Sequence, residues 1–199
     1  MILSGKAIKQ AIQNDVWSCN KPISELQFGS NSVDVTLSGE YLVSTNPFGP
    51  SFYDNYIDLE NCNIEELFLE EQHEEFLLYP HHLVLTSVNE MFDCSKPYYF
   101  TIDDDRKHYS HWVQHYEGRS TLGRMGIQSH MTAGFGDYGF KGAFTLELIN
   151  NSPWPIILRK GMRIGQVYFE AVLGEVDKYD GYDQTDGKPQ YPKLGKGRF

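Results

Sequence analysis

The chain has 199 residues, 40% hydrophobic and 22% charged, which suits one ordinary domain with a single core and makes two domains unnecessary. A formal net charge of -10 argues against a protein that coats nucleic acid, for which a basic surface is required. No stretch approaches the roughly 18 apolar residues of a membrane span and the first residues hold no apolar signal-peptide core, so a cytoplasmic place is expected.

Ser4 is placed to cap a short N-terminal helix, with Leu3 and Ile8 as a hydrophobic staple and Ile8, Ala11 and Ile12 at helical spacing. After Gly29 the period changes. Val33, Val35 and Leu37 alternate with Ser32, Asp34 and Thr36, the pattern of a half-buried strand. The run from Asn46 to Asn63 has no clean period and carries Asn-Pro and Gly-Pro turn signals, so it reads as a surface loop. The acid-rich segment from Ile64 to Glu75 allows a short helix or an edge strand with a solvated face. Phe76 to Leu85 and Tyr98 to Ile102 are further strands.

Residues 103–115 follow, rich in Asp and His. His108, His111 and His115 sit at metal-like spacings, but no carboxylate beyond the Asp run stands in register with them. The stretch therefore reads as an exposed or subunit-contacting insertion rather than a metal site. Phe144, Leu146 and Leu148 alternate with Thr145 and Glu147, so one strand buries its hydrophobes and presents Thr and Glu on its other face. Pro155 to Leu158 and Gln166 to Ala171 complete the strands, separated by turns at Asn150–Pro153 and Arg159–Gly161. Many short strands with regular turns predict an all-β barrel or jelly roll. Cys19, Cys62 and Cys94 are too scattered for a disulfide framework, and none forms a Cys-x-x-Cys pair.

One block stands out: Gly118-Arg119-Ser120-Thr121-Leu122-Gly123-Arg124, then His130-Met131-Thr132-Ala133-Gly134-Phe135-Gly136-Asp137, then Thr145-Leu146-Glu147. Gly118 and Gly123 allow close backbone approach to a ligand, Ser120 and Thr121 supply hydroxyls, and Arg119 and Arg124 can fork onto phosphate oxygens. Such a set suits a nucleoside triphosphate. It is neither a Walker A loop, since no Gly-Lys-Ser/Thr ends it, nor a dinucleotide fingerprint.

The block resembles, residue for residue, the dCTP deaminase branch of the trimeric dUTPase superfamily. The likeness extends to Met1-Ile2-Leu3-Ser4, to Asn31-Ser32-Val33-Asp34-Val35-Thr36-Leu37 and to Lys160-Gly161-Met162-Arg163-Ile164-Gly165-Gln166. It implies a distorted β-barrel or jelly roll of the dUTPase-like type, a single domain over 1–199 with 177–199 a mobile tail, and a homotrimer whose sites lie between subunits.

The resemblance also implies roles. Glu147 takes the place of the family's catalytic glutamate, and a carboxylate in a partly closed pocket has its pKa pushed upward, which suits it to activate water at C4 of cytosine. Ser120 and Arg124 match positions that polarise the water and stabilise the tetrahedral intermediate. Asp137 matches the Asp that, in related dUTPases, meets the deoxyribose and helps set up the water attacking the α-phosphorus, with Arg119 and Arg124 on the phosphates. Substrate contacts are carried to Arg119, Ser120, Thr121, Leu122, Gly123, Arg124, Ala133, Asp137, Thr145, Leu146, Glu147 and Gln166. Tyr182, Lys188 and Gln190 are the nearest matches to a tail that closes the site.

Magnesium is expected to travel with the triphosphate, without a protein cage. No zinc is expected, because the His-x-Glu and Pro-Cys-x-x-Cys signature of zinc deaminases has no match. Family members that stop at dUTP carry His and Arg after the Thr-Ala pair, whereas those that continue to dUMP have Gly and an aromatic. Ala133-Gly134-Phe135 follows the second pattern. The expected reaction is dCTP to dUMP, with ammonia and diphosphate released. The alternatives are a deaminase releasing dUTP, a dUTPase, and a nucleotide-sensing binder without turnover.

Overall fold

A computed structural model describes residues 1–45, 57–102, 106–132, 134–179 and 187–193. Helix α1 (Gly5–Gln13) starts where Ser4 Oγ accepts from the Ala7 N–H at 3.2 Å. Leu3 and Ile8 are both buried, as the staple requires. Gly5 is fixed by a close approach: a Cβ there would stand 1.9 Å from the Gly29 carbonyl oxygen. Its N–H donates to the Ser30 carbonyl at 2.7 Å, seating the helix on the turn that leads into the first long strand.

The strands follow in order: β1 (Ser18–Cys19), β2 (Val33–Ser44), β3 (Phe68–Gln72), β4 (Glu75–Leu78), β5 (Leu83–Val88), β6 (Phe92–Asp93), β7 (Tyr98–Ile102) and β8 (Arg106–Gly118). A short helix α2 (Ser120–Arg124) comes next, then β9 (Ile127–Gln128), β10 (Phe135–Gly136), β11 (Thr145–Asn150), β12 (Ile156–Arg159) and β13 (Arg163–Val172). Residues Ile64–Leu67 form a 3-10 turn ahead of β3, so the acidic segment holds both a helical turn and an edge strand.

The main sheet is antiparallel and runs β10-β8-β13-β2-β5-β11-β9, with β3 added to β2 and β7 to β8. Strand β2 serves two ladders. Its first residues pair with β13, Leu37 pairs with Val88 of β5, and beyond an irregularity between Leu37 and Tyr41 it pairs with β3 and again with β5. Gly39 makes this possible with φ of +86°, a backbone conformation costly for any residue with a Cβ. The extra residues bend the strand, and the sheet curls into the expected all-β half-barrel.

Inside the curl lie Val33, Val35 and Leu37 of β2, Leu146 and Leu148 of β11, and Val167 and Phe169 of β13, all fully buried. Trp17 closes the core, its ring 4.8 Å from Phe169 and 5.9 Å from Trp112. Cys19, Cys62 and Cys94 are unpaired. Among the described residues no helix is long and apolar enough to cross a membrane.

Residues 111–118 correct one expectation. They are not an insertion but part of the main sheet, registered against β13 from Gly118↔Gly165 to His111↔Val172, while 106–110 pair with β7 as a hairpin arm. Trp112, Gln114 and Tyr116 face the core. Gln114 masks the alternation because a polar side chain occupies a core position. Its amide donates to the carbonyls of Phe92 and Phe140 at 3.2 and 3.0 Å, which satisfies it there. His111 and His115 share the opposite face. His115 stacks on Tyr168 at 4.7 Å with Nε2 3.4 Å from Glu170, and His111 meets the Tyr138 ring at 4.5 Å. Residues 103–105 and the His108 side chain lie outside the described set.

Candidate active site

Strand β8 ends at Gly118, where a Cβ would stand 2.5 Å from Ser129 Oγ, so the strand can cross residue 129 only without a side chain. Arg119 then leaves the strand and caps α2. Ser120, Thr121, Gly123 and Arg124 are exposed, while Leu122 is half-buried against the core and anchors the turn. A Cβ at Gly123 would meet nothing within 4 Å, so that glycine leaves open surface rather than relieving a contact within the chain. The Ser120, Thr121 and Arg124 side chains make no hydrogen bond or ion pair among the described residues. They are available to a ligand or a neighbour.

Arg119 is already engaged. Its Nη1 donates to Asp34 Oδ2, and Arg163 Nη1 donates to the same oxygen at 3.0 Å. Beside this bridge Gln166 lies opposite Asp34 in register, and its Oε1 accepts from Ser32 Oγ at 2.7 Å. Behind it Gly165 admits the Tyr116 ring, which a Cβ would meet at 2.3 Å. Burial pushes the Tyr116 hydroxyl well above its ordinary value, so it is a packing group and not an acid for chemistry at neutral pH.

The second group gathers on β11. The strand alternates as expected: Thr145 and Glu147 are half-buried on one face, Leu146 and Leu148 fully buried on the other. The Leu146 side chain points into the core, so only the backbone of this residue can face a ligand. Glu147 Oε2 accepts from the Met131 N–H at 2.5 Å and the Thr132 N–H at 2.9 Å. Both donors act on one oxygen, and Oε1 carries no bond among the described residues.

Asp137 follows β10, is exposed, and its carboxylate has no partner among the described residues. It opens onto a cleft of about 220 Å³ lined also by Phe135, Phe140, Phe144, Thr145 and Gln190. Gln190 reaches this cleft because its N–H donates to Thr145 Oγ1 at 3.0 Å. The tail segment 187–193 is tied at two further points. Ser87 Oγ donates to the Gly187 carbonyl at 2.6 Å, and the Tyr191 hydroxyl donates to Glu70 Oε1 at 2.9 Å.

Lys188 does not join this cleft. It is exposed over β2 and β3 beside Glu40, Glu70 and Glu71. Ala133 and Tyr182 lie outside the described residues. The site residues thus form two groups, Arg119 to Arg124 with Gln166, and Asp137, Thr145, Glu147 and Gln190. No hydrogen bond or ion pair among the described residues joins one to the other. Sequence reasoning missed Asp34 and Arg163 as parts of the first group. The only signal was the place of both inside segments that carry the family likeness.

The likeness to known proteins runs over most of the chain. A family model described as dCTP deaminase-like matches residues 2–172. A Clostridium acetobutylicum protein named "dCTP deaminase, dUMP-forming" is 33% identical over 98% of this chain and 96% of its own length. One of the same name from Methanopyrus kandleri is 33% identical over 94% and 89%. A Haloarcula marismortui "dCTP deaminase" is 34% identical over 85% and 82%. The solved structure of 2'-deoxycytidine 5'-triphosphate deaminase from Agrobacterium tumefaciens superposes with a TM-score of 0.57 at 19% identity. The superposition covers 84% of this chain and 47% of that one, about half its length, and it speaks to the fold. With a matching model over most of its length and relatives of one third identity end to end, the chain belongs to the dCTP deaminase-like family.

Proposed function

We propose that the chain hydrolyses dCTP to dUMP in two steps at one site. Water adds to C4 of the cytosine and ammonia leaves, giving dUTP. A second water then attacks the α-phosphorus, giving dUMP and diphosphate. The observation that carries this reading is Glu147 on the polar face of β11, whose Oε2 is gripped by two backbone N–H groups while Oε1 is unengaged among the described residues. A carboxylate fixed through one oxygen is a base aimed through the other. It takes a proton from the attacking water and returns it to the leaving amine.

Ser120 and Arg124 donate to the developing oxyanion, and Arg119 neutralises phosphate charge. Asp137, in the cleft beside Thr145 and Gln190, orients the sugar and the second water. Among the described residues no hydrogen bond or ion pair joins the two groups, and with the family likeness this supports a homotrimer in which each site takes its phosphate loop from one subunit and Glu147 from the next. The oxygen donors available there, the Asp137 carboxylate and the Ser120 and Thr121 hydroxyls, are of the hard kind that suits magnesium. The ion arrives on the triphosphate and lowers its charge. The reading places the enzyme in the cytoplasm, with free nucleotides and not nucleic acid as its partners.

The test is product analysis. Purified protein given dCTP and magnesium should release ammonia and accumulate dUMP and diphosphate. Accumulating dUTP would overturn the second step, and absence of ammonia would overturn the deamination.

A further inference from the structure

Asp34 stands on the outward face of β2, opposite Gln166 of β13. One of its oxygens serves two guanidinium groups that arrive from different elements: Arg119 from the loop into α2, and Arg163 from the start of β13. The Asp34 side chain is 17% exposed, against 29% for Arg119 and 49% for Arg163. The carboxylate therefore lies beneath the cations and leaves their outer N–H groups to solvent.

A free arginine side chain samples many rotamers and must surrender that freedom to grip a phosphate. Arg119 has surrendered it already, since its Nη1 is spent on Asp34 and its remaining donors bond no other side chain among the described residues. We infer that Asp34 is a positioning residue for the triphosphate: it holds the Arg119 guanidinium in its gripping orientation, and Arg163 anchors Asp34 from the other side. The inference rests on the proposed function, in which Arg119 faces the phosphates.

Charge and orientation predict opposite signs here. A carboxylate near a polyanion repels it, so if Asp34 acted through charge alone its removal would tighten binding. If it acts by positioning, removal weakens binding, and only for ligands that carry phosphates.

The experiment is a calorimetric double-mutant cycle in the Glu147→Gln protein, which holds ligand without turnover. Asp34→Asn should weaken dCTP at least about tenfold, as loss of a charge-assisted hydrogen bond does. It should leave deoxycytidine affinity unchanged and add no further loss when Arg119 is already Ala. Unchanged or tighter dCTP binding would overturn the inference. So would an equal loss for both ligands, or an undiminished loss in the Arg119→Ala background. Should Asp34→Asn fail to fold, Asp34→Glu takes its place in the same cycle with the same selective loss expected. If the Glu147→Gln protein bound no dCTP at all, the proposed function itself would fall, and this inference with it.

Discussion

Glu147 shows how one carboxylate oxygen can be committed while its twin bonds no other group among the described residues. The Met131 and Thr132 N–H groups hold Oε2, so the carboxylate cannot rotate without giving up both bonds. Glu147→Gln keeps an oxygen for those donors and should fold normally. Ammonia release is expected to fall by about 10²–10⁴-fold, the usual contribution of a positioned general base, with dCTP affinity little changed. Undiminished turnover would remove Glu147 from the chemistry. The sequence singled this residue out through its Thr-Leu-Glu likeness to the family's catalytic glutamate, since a charge on the outer face of an alternating strand reads alone as a solvated residue. Asp34 was not singled out. An Asp on the outward face of a strand looks like any solvated residue until a cation 85 positions away is brought onto it.

At the scale of elements, the period-two patterns of β2 and β11 and the Ser4 cap of α1 were readable because each rests on near neighbours in the chain. Strand β8 was not readable as a core strand. Gln114 breaks its pattern, and what makes Gln114 acceptable inside is a pair of carbonyls from two other segments. The seat of α1 is equally non-local, since it depends on the Gly29 carbonyl fitting where a side chain would stand. Gly5→Ala sets a Cβ against a backbone atom with little freedom to move. It is expected to cost about 1–3 kcal/mol or more, read as a lowered midpoint in urea unfolding. An unchanged midpoint would mean that the turn at residues 29–30 yields freely.

For the whole molecule, the proposed function turns on two groups of residues, Arg119 to Arg124 and the set around Glu147, that no hydrogen bond or ion pair joins among the described residues. A shared site predicts complementation. Glu147→Gln and Arg124→Ala proteins, each inactive alone, should regain about a quarter of wild-type activity after co-refolding in equal amounts, because random assembly pairs an intact loop with an intact glutamate in that share of sites. A mixture that stayed inactive would place the whole site in one chain. The all-β class was legible from turn spacing, whereas the shared site was expected only from the family likeness, since sequence patterns report which face a residue takes and not which copy it faces. The bend in β2 carries a last consequence. On one side of Gly39 the strand is bonded to β13 and holds Asp34; on the other it is bonded to β3, and β5, which borders the strand that holds Glu147, pairs with β2 on both sides. A single ribbon of backbone thus links the stretch that carries Asp34 to the one beside the strand that carries Glu147, and in the proposed assembly a slippage at its kink would misalign two neighbouring centres at once.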